Sequence, residues 1–147
     1  MPPKSKRMQR GFGRDWTRIL KFALALPGVG ARSSYGTPGL YVGKKFMARL
    51  RNEDLDTMVL KPVEDDEQRF LMETQPGVFF KTPHYAGSPT ILIRLSNADP
   101  AQLEELVEQS WRRLATKTML AERDEAATNA LGAKRRVRAG RRGAARR

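Results

Sequence analysis

Apolar residues recur along the chain in two different periods. Trp16, Ile19, Leu20, Ala23 and Leu24 fall at the i, i+3, i+4, i+7, i+8 spacing of one helical face. Asp15 stands ahead of them as an N-cap, and Pro27-Gly28 follows as a stop. The period then shortens. Ser33–Tyr35, Leu40–Val42, Phe46–Arg51 and Thr57–Lys61 read as strands separated by Gly36-Thr37-Pro38-Gly39, Gly43-Lys44 and the polar turn Asn52–Asp56. Within Phe46–Arg51 the pattern sets Phe46, Ala48 and Leu50 against Met47, Arg49 and Arg51. Loops this short between strands imply antiparallel pairing.

The helical period returns at Glu64–Thr74, which has an acidic first turn and Phe70 and Leu71 facing inward. Val78–Lys81 and Thr90–Leu95 read as two further strands. Asp99-Pro100 then opens a helix, with Asp as the cap, Pro at the first helical position and Gln102 completing a capping box. Leu103, Leu106, Val107, Ser110, Trp111 and Leu114 form its buried stripe, and a last helix is expected near Lys117–Ala130. This order predicts an α+β fold: an antiparallel sheet of five or six short strands with helices on one face.

Charge divides the chain differently. The net charge of +12 over 147 residues is concentrated at the two ends. Residues 1–14 carry five basic residues and 134–147 carry eight, with no acidic residue in either segment. The stretch between, 15–133, holds 15 basic and 16 acidic residues and is close to neutral. Neither end has the apolar content to offset ordering entropy, so 1–14 and 131–147 are expected as disordered basic tails around a domain at 15–130. A polycationic tail releases counterions from nucleic acid and binds it without regard to sequence. The longest strongly apolar stretch, near Phe22–Leu26, is far short of a membrane span, and no membrane partner is expected. The first fourteen residues lack an apolar h-region, so no secretory signal is expected. With no cysteine, disulfides and thiolate metal sites are excluded, which fits a cytoplasmic setting.

Candidate chemistry is sparse. His84 is the only histidine, and no Gly-x-Ser-x-Gly elbow accompanies it, so no catalytic residue is assigned. Glu64-Asp65-Asp66-Glu67 is read as carboxylates favouring a helix N-terminus rather than as a cation site, and no metal or other cofactor is expected. Gly28-Val29-Gly30 follows a helix rather than a strand, the wrong context for a phosphate loop. A basic hairpin offers more. Lys44 and Lys45 sit at its tip, Arg49 and Arg51 lie on one side of the next strand, and Lys81, His84 and Tyr85 occupy a second polar loop. Cations for phosphates with a ring for stacking are what a strand-based nucleic-acid reader needs. Edge protection by lysine accounts for the hairpin tip equally well.

Leu26-Pro27-Gly28, Ser34-Tyr35-Gly36-Thr37-Pro38, Val42-Gly43-Lys44-Lys45-Phe46 and Thr82-Pro83-His84-Tyr85, in this order and followed by Trp111, resemble the MmcQ/YjbR family of small bacterial proteins. The resemblance covers roughly Trp16 to Leu120 and implies a CyaY-like α+β fold. It also implies DNA binding, with a double-wing surface proposed for the family, and brings no catalytic residues. The expected function is non-enzymatic binding of nucleic acid, DNA favoured over RNA, with little sequence specificity. The expected contacts are Lys44, Lys45, Arg49, Arg51, Lys81, His84 and Tyr85, together with Lys134, Arg135, Arg136, Arg138, Arg141 and Arg142 of the C-terminal tail. The alternatives are a small enzyme or ligand-binding domain using the Tyr35, His84 and Tyr85 loops, and an RNA- or ribosome-associated protein.

Overall fold

A computed structural model describes residues 15–145 except 35 and 52–54; the side chains at 34 and beyond 132 are not described. The first helix, α1, covers 15–24. It is followed by β1 (Val29–Ser34), β2 (Thr37–Val42), β3 (Lys45–Leu50), β4 (Thr57–Leu60), α2 (Asp65–Thr74), β5 (Phe79–Phe80), β6 (Ile91–Arg94), α3 (Pro100–Leu114) and α4 (Lys117–Ala145). The six strands form one antiparallel sheet in the order β1-β2-β3-β4-β6-β5. The α+β architecture expected from the periodicities is therefore present.

The strand register sorts the sheet into two sides. Leu40, Ala48, Leu60 and Ile91 form one cross-strand row, and Leu50, Met58, Ile93 and Phe79 form the next. All eight belong to a single core cluster with Trp16, Ile19 and Ala23 of α1, Leu71 of α2, and Leu103, Leu106, Val107 and Trp111 of α3. The helices thus cover this side alone. Trp111 is fully buried, and its indole Nε1 donates to Pro27 O at 2.8 Å, which fixes α3 against the end of α1. Gly28, at φ 77°, makes the turn that stops α1. A Cβ there would lie 2.7 Å from Met119 Sδ of α4.

Several local expectations are corrected. Asp15 is itself helical rather than the cap of α1. Asp99 makes no side-chain capping bond; its carbonyl accepts from Leu103 N at 3.0 Å, so the capping box does not form. Phe70 is 62% exposed, and Gln68, three residues before Leu71, takes the inward position. Neighbouring helix positions lie about 100° apart, and of this pair only Leu71 faces the core. β2 begins at Thr37 and includes Pro38-Gly39, leaving a tighter hairpin than the sequence suggested. Pro38 is tolerated because β3 first pairs with β2 at Gly39, so the strand is an edge at that point.

The last helix does not stop near Ala130. Its backbone stays helical to Ala145. Ala, Lys and Arg are strong helix formers, and a helix closes its hydrogen bonds within itself, so low apolar content does not prevent one. The N-terminal tail, 1–14, lies outside the described residues.

Candidate nucleic-acid interface

The side of the sheet that the helices leave uncovered is set by the same register. Gly39, Arg49, Val59, Leu92 and Phe80 form its central cross-strand row. Val59 and Leu92 are buried but stand outside the helix-side core cluster. Arg49 donates through Nη2 to the Tyr85 hydroxyl at 3.2 Å, which ties the 82–90 loop to β3. Tyr85 in turn packs edge-on against His84, ring centroids 4.8 Å apart. At the far end of the row, the Arg94 guanidinium lies 4.7 Å over the Phe80 ring.

A second row depends on an irregularity. The register shifts by one residue between Leu40 and Tyr41, so Leu40 opposes Ala48 while Tyr41 opposes Phe46. Met47 is the extra residue of a β-bulge. Both Met47 and Ala48 are fully buried in the helix-side core, and the alternation changes phase there. Phe46, expected to point inward with Ala48 and Leu50, is instead on the uncovered side. It packs edge-on against Tyr41, centroids 5.6 Å apart. The Arg32 guanidinium of β1 lies 4.0 Å over the Tyr41 ring, and Lys61 Nζ lies 5.7 Å from the Phe46 ring. Arg32 also donates to Gly43 O at 3.3 Å.

The residues singled out by sequence divide into groups. Lys44 and Lys45 are exposed at the β2–β3 hairpin tip, as expected. Arg49 and Arg51 alternate with Leu50 onto the uncovered side, and both are half-buried. Lys81 does not join them. Its Nζ donates to Gln68 Oε1 at 2.7 Å and to Ser88 O at 2.6 Å, so it is turned toward α2 and serves the loop. His84 is exposed. Tyr35 lies outside the described residues. Lys134, Arg135, Arg136, Arg138, Arg141 and Arg142 fall on the helical backbone of α4, their side chains not described. Arg32, Tyr41, Phe46, Lys61, Phe80 and Arg94 were missed. For Arg32 and Tyr41 the signal was alternation in strands read too short; for Phe46 the bulge hid it.

The near-neutral body is polarised. Counted by sequence position within 15–133, the four helices and the capping residues Glu64 and Asp99 carry 13 acidic and 7 basic residues, a net of −6. The strands and their connections carry 8 basic and 3 acidic residues, a net of +5, the acids being Glu53, Asp54 and Asp56. Most helix-layer cations are spent within that layer. Arg18 pairs with Glu104, Arg69 with Asp66, Arg113 with Glu64, and Arg112 and Arg123 with Glu108. The hydrogen bond from Arg123 is the main cause holding the Glu108 carboxyl below its ordinary pKa, against the opposing effect of burial.

Among the described residues, a concavity of about 410 Å³ is lined by Leu20 and by residues 31–33 and 36–39 of the β1–β2 hairpin. Two water-sized ones lie in the helix layer. None of the three is lined by His84 or Tyr85. Among the described residues no group of three or more His, Asp or Glu is placed to hold a metal ion, and no helix is long and apolar enough to cross a membrane.

Comparison with known proteins adds a family and little chemistry. The family described as YjbR matches residues 24–113. Uncharacterized proteins of Mycobacterium bovis (Mb2600) and Mycobacterium tuberculosis (Rv2570) are each 39% identical over 59 residues, covering 40% of this chain. The match spans 46% of each relative, about half its length. No solved structure matches the chain.

Proposed function

The chain belongs to the YjbR family, and from that premise we propose that it binds nucleic acid, acting as a binder rather than an enzyme. DNA is the favoured target, with little sequence specificity, and the setting is cytoplasmic or nucleoid-associated. The observation that carries this reading is the charge segregation. Up to residue 133 the helices are net acidic and pair most of their own cations, while the uncovered side of the sheet gathers cations among rings. The basic terminal segments add 13 further positive charges. Phosphate contacts from lysine and arginine position a protein on nucleic acid and supply most of its sequence-independent affinity.

The test is a salt series with the full chain and a 20-base-pair duplex. Neutralising about eight phosphates gives a log–log slope of roughly −7. Replacing Lys134, Arg135, Arg136, Arg138, Arg141 and Arg142 together by Gln, itself a good helix former, removes most of that slope. Lys44→Gln with Lys45→Gln flattens it by about two. A six-Gln variant with unchanged affinity and slope is incompatible with the proposal. Matched competition by structured RNA separates DNA from RNA as the target.

A further inference from the structure

We propose that the uncovered sheet face is a stacking platform for the bases of single-stranded nucleic acid, built on Tyr41 and Phe46. This rests on the nucleic-acid reading above and narrows it. A solvent-facing antiparallel sheet side ordinarily carries polar residues. Here two half-buried rings sit directly opposite each other on β2 and β3, centroids 5.6 Å apart. A cation flanks each ring: Arg32 from β1 at 4.0 Å and Lys61, just after β4, at 5.7 Å. The four side chains make a ladder, cation–ring–ring–cation, from β1 across β2 and β3 to the residue that follows β4.

That order has a chemical meaning. A single strand offers alternating needs, a flat apolar base and a phosphate, and aromatic rings interleaved with cations meet both. Arg32 is exposed, and its guanidinium lies over the Tyr41 ring, so an incoming base would extend a stack of ring and guanidinium. The outer surface of the guanidinium is itself a plane on which a base stacks. Lys44 and Lys45, exposed at the tip of the same β2–β3 hairpin, extend the track for the backbone. A duplex keeps its bases paired inside and cannot use the rings. The ladder therefore discriminates single strand from duplex, whereas the basic terminal segments do not.

The bulge supports the assignment. Without the extra residue at Met47, Phe46 would follow Ala48 and Leu50 to the helix side. The phase change places the second ring beside the first.

The experiment compares the full chain with a Tyr41→Leu, Phe46→Leu variant, which keeps apolar bulk and removes the π faces. Affinity for a 20-nucleotide oligothymidine and for a duplex is measured by fluorescence anisotropy across a salt series, after thermal melting has verified folding. The expected result is a single-strand affinity lower by about tenfold for each ring, the salt slope and duplex affinity staying unchanged. Unchanged single-strand affinity overturns the inference while leaving the duplex reading intact. Failure of the unaltered chain to bind either nucleic acid overturns both. Where the variant does not fold, ultraviolet cross-linking of the unaltered chain to oligothymidine decides. Adducts on Tyr41 or Phe46 support the platform, and adducts confined to α4 or the helix layer overturn it.

Discussion

Replacing Lys81 by Met separates a structural lysine from a phosphate-binding one. The Lys81 ammonium joins the start of the 82–90 loop to two acceptors, Gln68 Oε1 at 2.7 Å and Ser88 O at 2.6 Å. Gln68 is 2% exposed, and its Nε2 is already committed to Val63 O at 2.7 Å, with a longer bond to Ser88 O at 3.3 Å. Val63 N closes the circuit by donating to Pro89 O at 2.8 Å. Methionine keeps the stem and deletes the charge, leaving a buried amide oxygen without its donor. Bonds from a charged donor contribute about 1.5–3 kcal/mol each, and the ammonium regains hydration on unfolding, so the net loss is about 2 kcal/mol. With a urea m-value of about 2 kcal/mol/M, the unfolding midpoint drops by about 1 M. Amide exchange in the 82–90 loop accelerates as its anchor goes. The salt slope for duplex binding, by contrast, stays where it was. An unchanged midpoint together with a slope flattened by about one would refute the reasoning, because it would make Lys81 a phosphate contact and not a loop anchor.

Two further substitutions test the frame behind the face. Gly28→Ala places a Cβ at φ 77° and against Met119, and lowers stability by about 1–2 kcal/mol from the backbone alone; Met119→Ala in the same chain relieves only the contact, as denaturant melts of the two variants will show. The Glu108 carboxyl titrates lower folded than unfolded, so its pairing with Arg123 and Arg112 stabilises at neutral pH, and that share disappears as pH falls through the acid range. Glu108→Gln therefore costs about 0.5–1 kcal/mol at neutral pH and progressively less as the pH falls through the acid range, measured as urea midpoints across that range.

What the sequence disclosed follows from which signals are local. The α3 stripe was readable because Leu103, Leu106, Val107 and Trp111 repeat at the helical period and are all buried. The four-residue strands β4 and β6 were readable as apolar runs between turns, although their pairing with each other was not. The candidate interface was less legible, because its geometry depends on pairing. Nothing in Lys-Phe-Met-Ala-Arg-Leu marks Met47 as the bulged residue; the shift exists only relative to β2. The surroundings of Lys81 were hidden for a similar reason. Its acceptors are thirteen and seven residues away, on a helix and beyond a loop, and no sequence spacing announces them. The charge arithmetic located the excess at the two ends correctly. It averaged over a body whose acids and bases occupy different layers.

That layering has a consequence for how a ligand arrives. Within 15–133 the helices carry a net −6 and the strands with their connections +5, so that stretch has almost no monopole while its charge is divided between elements. In the nucleic-acid reading, charge divided in this way exerts torque in the field of a polyanion, alongside the stronger pull of the basic terminal segments. Alignment of this kind acts on the association rate and fades with ionic strength, whereas short-range contacts such as stacked rings act on residence time. The body and its face are thereby separable in kinetics even where they are merged in an equilibrium constant.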